Sequence, residues 1–114
     1  MSRSVLLQLA RDSIEEVIEF ENKIDKASLL KEHPLLSENI PTQIDIYVDN
    51  EPHGSCKLDG KNSLLDNVIQ AAKTAAFIDN EPLTSSKYLR CEIEITLQSA
   101  EGVISEKDEA LLVE

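Results

Sequence analysis

Two separated stretches of this chain, QIDIYV at 43–48 and CEIEITL at 91–97, alternate apolar and polar residues with a period of two. Successive side chains of a strand point to opposite sides of a sheet, so this pattern predicts strands with one buried and one solvated face. Ile44, Ile46 and Val48 form the inward set of the first stretch, with Asp45, Tyr47 and Asp49 opposite. Cys91, Ile93, Ile95 and Leu97 form the inward set of the second, with Glu92, Glu94 and Thr96 outward.

Helical periodicity supplies the cover. From Ser4 onward, Val5, Leu6, Leu9, Ala10, Ile14, Val17 and Ile18 fall at the three-and-four spacing of an amphipathic helix. Asp12, Glu15, Glu16 and Glu19 lie on its other face, which reads as a solvated surface, with a partner-binding acidic face as the alternative. The stripe loses its rhythm near 21–26. A second helix starts at Ser63-Leu64-Leu65-Asp66, where serine can cap an orphan amide and an acid sits three residues on. Its stripe of Leu64, Leu65, Val68, Ile69, Ala72, Ala75 and Ala76 ends in small residues that allow close backbone approach, and it should stop around Asp79-Asn80, before Pro82.

Between these elements, KASLLKEHPLLSENIPT at 26–42 has two prolines and no sustained period, so it reads as a packed-down connector with one short turn. Asp49 to Gly54 supply turn chemistry after the first strand, and a second strand then places Cys56 and Leu58 on one face and Ser55 and Lys57 on the other. These strands form a hairpin. A further turn capped by Thr84 or Ser85 precedes Cys91, and the tail from Ser99, ending Leu111-Leu112-Val113, is open to either a short helix or a strand.

Composition narrows the functional classes. A chain of 114 residues suits a single domain with its own core. Its 22 acidic and 11 basic side chains give a formal charge of −11, which repels phosphate backbones, so nucleic acid is not an expected partner. Gln8, Arg11 and Asp12 interrupt the first apolar pattern, which therefore reads as neither a signal peptide nor a membrane span. The expected location is the cytoplasm, with both cysteines as reduced thiols.

The stretch PHGSCKLDG at 52–60 places a histidine, a serine and a cysteine close together. Cys56 as a nucleophile with His53 as its base is one reading; it needs a lowered thiol pKa and a base within reach. An odd offset along a strand separates those side chains, so only a turn at Gly54 could unite them. Alternation instead places Cys56 beside Leu58, toward the core. His53, Cys56, Cys91 and Asp59 lack the paired spacing of a metal site, and no metal is expected. His33 reads as an exposed loop residue. Gly54, Gly60 and Gly102 form no phosphate loop, and no cofactor is expected.

The residues VIQAAKTAAFID at 68–79, followed by PLT at 82–84 and EIEITLQS at 92–99, resemble the AMMECR-one domain family. That family has a leading helix with L-x-x-A-R, here Leu7 to Arg11, and a strand-turn reading L-R-G-C-I-G, at which Cys56 aligns. His53, Gly54, Ser55, Lys57 and Leu58 stand where the family has Leu, Arg, Gly, Ile and Gly. The loop from Asp79 to Pro82 is shorter than the family's, and the resemblance covers nearly the whole chain but only the first part of the family's domain. It implies an α+β fold, a small mostly antiparallel sheet with two main packing helices. It also implies an accessory role beside Memo-like and radical-SAM proteins. The expected function is a binding or accessory module that holds a protein partner or small ligand on its sheet surface or groove. A chain shorter than its relatives can leave a sheet edge that a second copy covers, making a homo-oligomer.

Overall fold

The structure is a computed structural model that describes residues 3–111. Its first helix, α1 (Val5–Glu19), begins where the Ser4 hydroxyl accepts the Leu7 N–H. It ends at Phe20, whose φ of 53° puts it in the left-handed region, with its N–H donating to the Glu16 carbonyl. The buried face keeps Leu9, Ala10 and Ile14 of the predicted stripe, with Leu6 and Ile18 partly buried against the core, but it is shifted toward Leu7, Arg11 and Ser13. Leu7, Leu9, Ala10, Arg11, Ser13 and Ile14 point inward, while Val17 is exposed. The helix is rotated because Arg11 occupies the core side, and Ser13 satisfies its own hydroxyl on the Leu9 carbonyl at 2.7 Å.

The predicted connector holds more structure than one turn. Helix α2 (Lys26–Glu32) is capped by the Asp25 carboxylate, which accepts the Ser28 N–H. A 3-10 turn, Pro34–Ser37, follows and buries Leu36. Proline cannot continue the preceding helix but suits the first position of the next one, which is why His33-Pro34 divides the two. His33 caps the end of α2 and is half-buried rather than exposed.

Strand β1 (Thr42–Val48) pairs with β2 (Glu51–Leu58). The turn between them is Asp49-Asn50 alone, both residues at positive φ (52° and 67°), the geometry that matches the twist of a tight hairpin. Pro52, His53 and Gly54, expected in the turn, therefore belong to the strand. Helix α3 (Leu64–Phe77) starts as predicted, with the Ser63 hydroxyl accepting the Asp66 N–H. Thr84 caps the short α4 (Ser85–Leu89), which leads into β3 (Cys91–Ser99). The tail forms β4 (Gly102–Asp108), a strand; Leu112 and Val113 lie outside the described residues.

All pairings are antiparallel, and the sheet order is β2-β1-β3-β4. The fold class is α+β, with α1 and α3 packed together and α3 lying over β1 and β2. The core joins Ile44, Ile46, Ile93 and Ile95 of the sheet to Ile14, Leu65, Val68 and Ala72 of the helices. Asn67 is buried among them and donates to the carbonyls of Ile40 (2.9 Å) and Asp59 (3.0 Å), tying both flanking loops to α3. Among the described residues, no helix is long and apolar enough to cross a membrane.

Phe20 leaves 95% of its surface exposed, so it contributes no packing that offsets its left-handed backbone. Phe20→Gly is expected to stabilise the fold by about 1 kcal/mol, read as a higher urea midpoint at an unchanged slope. A lower midpoint would show that the ring packs in solution.

Candidate functional site

The β1–β2 register shifts between Ile46 and Tyr47: Ile46 faces Gly54, while Tyr47 faces Pro52. His53 is the extra residue of this β-bulge. A bulge re-aims a side chain, and here it turns the imidazole onto the helix side, where His53 is 9% exposed and Nε2 lies 3.1 Å from the Ala76 carbonyl. A carbonyl accepts only, so Nε2 carries the proton in this contact.

Gly54 explains why β2 can lie so close to α3. A Cβ at this position would sit 1.9 Å from the Ala75 carbonyl oxygen, so only glycine fits. The small residues at the end of α3 serve the same approach from the other side. Cys56 follows on the helix face, half-buried and packed against the core. Burial pushes its thiol pKa up; the neighbouring Thr74 hydroxyl opposes this, and the Asp79 charge adds to it.

Loop residues after α3 grip the outer edge of β2. The Ser55 N–H donates to the Asp79 carboxylate at 3.0 Å, and the Asn80 amide donates to the His53 carbonyl at 3.1 Å. The Ser55 hydroxyl turns to the opposite face of the sheet and donates to Asp45 at 2.6 Å. Shallow clefts flank the bulge, one toward Asp49 and Arg90, the other toward Asp45 and Tyr47.

The bulge thus brings His53 and Cys56 to one side of the sheet, yet the two are engaged separately, His53 with Ala76 and Cys56 beside Thr74. Cys91 lies elsewhere, against Arg11. Among the described residues, no three His, Cys, Asp or Glu side chains group so as to hold a metal ion. Glu92 and Glu94 face the open side of the sheet, near Lys107 (3.6 Å) and the Ser105 hydroxyl (3.5 Å) respectively.

A second cluster was not legible from spacing. Arg11 is fully buried, with Nε 2.5 Å from Asp108, Nη1 3.1 Å from the Cys91 sulfur, and Nη2 bonded to the carbonyls of Cys91 and Glu109. Its guanidinium lies 5.2 Å from the Tyr88 ring centroid. The Tyr88 hydroxyl donates to Glu15, which also pairs with Lys23 at 3.1 Å. Burial works against the Arg11 charge, but Cys91 and Asp108 outweigh it and hold the pKa above its ordinary value. Burial also raises the Cys91 thiol pKa, against the pull of Arg11. The predicted solvated face of α1 is therefore partly a structural one, since Glu16 likewise holds Lys73 at 3.2 Å.

No family model matches this chain, and no curated protein matches it. The crystal structure of an uncharacterized protein from Pyrococcus horikoshii is similar, with a TM-score of 0.69 and 22% identity over 81% of this chain and 48% of that one. The likeness is one of fold, and this chain spans about half the length of that structure.

Gly54→Ala is expected to cost about 3 kcal/mol or more, because the clash is with backbone that cannot rotate away. A urea midpoint close to the parent's would refute the close packing.

Acid should weaken the α1 face. Burial of Glu15 disfavours its charge, but the Tyr88 hydroxyl and Lys23 outweigh that and hold its pKa below 4.5. Glu16 is lowered too, with burial opposed by the N–H groups of Lys23 and Ile24 and by Lys73. A folded pKa below the unfolded one gives stability that is complete above 4.5 and is lost as pH falls through the folded value. The melting temperature should therefore fall below that pH, and less steeply in Tyr88→Phe. Identical slopes in the two proteins would show that the Tyr88 contact does not set the Glu15 charge.

Proposed function

We propose that this chain is a binding or accessory module of AMMECR-one type, working in the cytoplasm and holding a protein partner or small ligand. The reading of its role beside Memo-like and radical-SAM proteins rests on the sequence resemblance at 68–99 and on Leu7 to Arg11. The site supports it from the chemical side. The observation that carries the reading is the state of Cys56: a half-buried thiol packed against the aliphatic core and raised in pKa by burial, while the imidazole three residues away is bonded to the Ala76 carbonyl. A nucleophilic cysteine needs the opposite, a lowered pKa and an oriented base. Free thiols at Cys56 and Cys91 suit a reducing compartment.

One feature favours the alternative, a thiol-dependent enzyme with Cys56 as nucleophile and His53 as base. The bulge places both residues on the helix side of β2, which regular alternation would not do. Alkylation by iodoacetamide near pH 7 separates the readings. The binding-module reading expects Cys56 to react about tenfold or more slower than the same residue in the urea-unfolded chain. It also expects Cys56→Ala to fold with less than about 2 kcal/mol of destabilisation. Labelling of the native protein faster than that of the unfolded chain would establish an activated thiol and overturn it.

A further inference from the structure

The two edges of the sheet are treated differently. On β2, a bulge breaks the repeat, Pro52 lacks an N–H, and Asp79 and Asn80 occupy backbone groups of Ser55 and His53. These are the means by which proteins stop an edge from pairing further. On β4 none of these three occurs, and only the charges of Glu106, Lys107 and Asp108 stand against further pairing: the register with β3 runs unbroken from Ser99 and Gly102 to Ile93 and Asp108, and the strand contains no proline. Among the described residues, no side chain bonds the backbone between Val103 and Asp108; the nearest such contacts are Ser99 to the Gly102 carbonyl and Arg11 to that of Glu109. Val103 and Ile104 remain 63% and 48% exposed on this strand.

A groove adjoins this edge on the helix side. It lies between the start of α1 and the 3-10 turn, and its apolar lining includes Val5, Leu6, Pro34 and Leu35. Glu32, His33 and Glu106 also line it, with Glu106 accepting the Ser4 hydroxyl at 2.8 Å, and no lysine or arginine does. Glu106 sits opposite Ile95, whose side chain is in the core, so the groove reaches β4 on the face that inward-pointing residues of an added strand would occupy. An extended segment laid along β4 would therefore form main-chain bonds to the open edge and drop alternate side chains toward an apolar, acid-lined groove.

We propose that β4 is a strand-addition site for an extended segment of a partner protein carrying apolar residues at alternate positions and lysine or arginine among them. The proposal rests on the binding-module reading and names its surface. Charge selects this occupant over a second copy. Asp108 is held by Arg3 and Arg11, so a self-paired β4 would add one acid, a second Glu106, beside a groove that already holds Glu32 and Glu106, in a chain whose formal charge is −11.

The test uses the full chain and synthetic peptides as long as β4: alternating valine and lysine, alternating valine and glutamate, and the valine-lysine peptide with a central proline. Hydrogen exchange resolved by NMR should show the outward amides of β4 exchanging freely alone and slowed about tenfold or more by saturating valine-lysine peptide. Its affinity should fall with added salt, and the glutamate and proline peptides should not protect the strand. Leu35→Arg, at a 53% exposed groove position, should keep the parent melting temperature and weaken the valine-lysine peptide about tenfold. Protection of β4 by the protein itself, rising with concentration, would overturn the proposal in favour of a second copy. So would peptide binding that leaves β4 amides unprotected, or equal binding of all three peptides. Absence of binding by any peptide would overturn it as well. An activated Cys56 would sink the binding-module reading through its alkylation rate, which this peptide assay does not measure, so the two failures are read separately.

Discussion

Arg11 is a fully buried cation, and the arrangement of four elements depends on where its guanidinium is satisfied. Its donors reach the first residue of β3 through the Cys91 sulfur and carbonyl, and the end of β4 through Asp108 and the Glu109 carbonyl. Its flat face meets Tyr88 of α4. Removing one member of such a buried pair costs about 3–5 kcal/mol, whereas replacing it whole with apolar groups is often neutral. The contribution of this pair is therefore best understood as specificity. A guanidinium with fixed donor directions accepts one placement of α1 against the sheet, and greasy contacts alone would accept several.

That constraint also explains where sequence patterning succeeded and failed. The alternation at 43–48 and 91–97 reported both central strands correctly, because each has one face on the core and period two is enforced directly by the pleat. The cap and small-residue stripe of α3 were equally plain, since Ser63, Asp66 and the alanines act within one helix. The face of α1 was read only in part, because Arg11 counted as an interruption of the apolar pattern and not as a member of the buried face, where arginine is rare. Its partners lie 77 to 98 residues away in the chain, at Tyr88, Cys91, Asp108 and Glu109, and no local period encodes them. The L-x-x-A-R resemblance singled out the position without revealing that the arginine is internal.

The bulge at His53 was hidden for a related reason. Asp49-Asn50-Glu51-Pro52 offers turn-forming residues in a row, and composition cannot say that the chain reverses within the first two. Once the turn is that tight, Pro52, His53 and Gly54 fall into the strand, and the extra residue is absorbed by shifting the register. Gly54 was weighed in the sequence as a possible turn, yet its role is close approach to α3. The proximity of His53 and Cys56 in the chain thus reflects two packing solutions side by side, one polar contact to Ala76 and one half-buried thiol against the core.

These solutions consume the side chains with the most chemical potential. His53 bonds to a helix carbonyl, Cys91 lies against a guanidinium, Glu15 and Glu16 organise α1, and Asp79 and Asn80 seal the β2 edge. Among the described residues, no side chain bonds the backbone of β4 between Val103 and Asp108. A sheet edge recognises extended polypeptide through hydrogen bonds that any sequence can make, so selectivity must come from what flanks it. Here the flanking groove is apolar and acid-lined, which favours basic segments and disfavours the acidic strands of the protein's own copies. Under the proposed strand addition, the same excess of carboxylates from which no nucleic-acid partner is expected selects against pairing of β4 with a second copy.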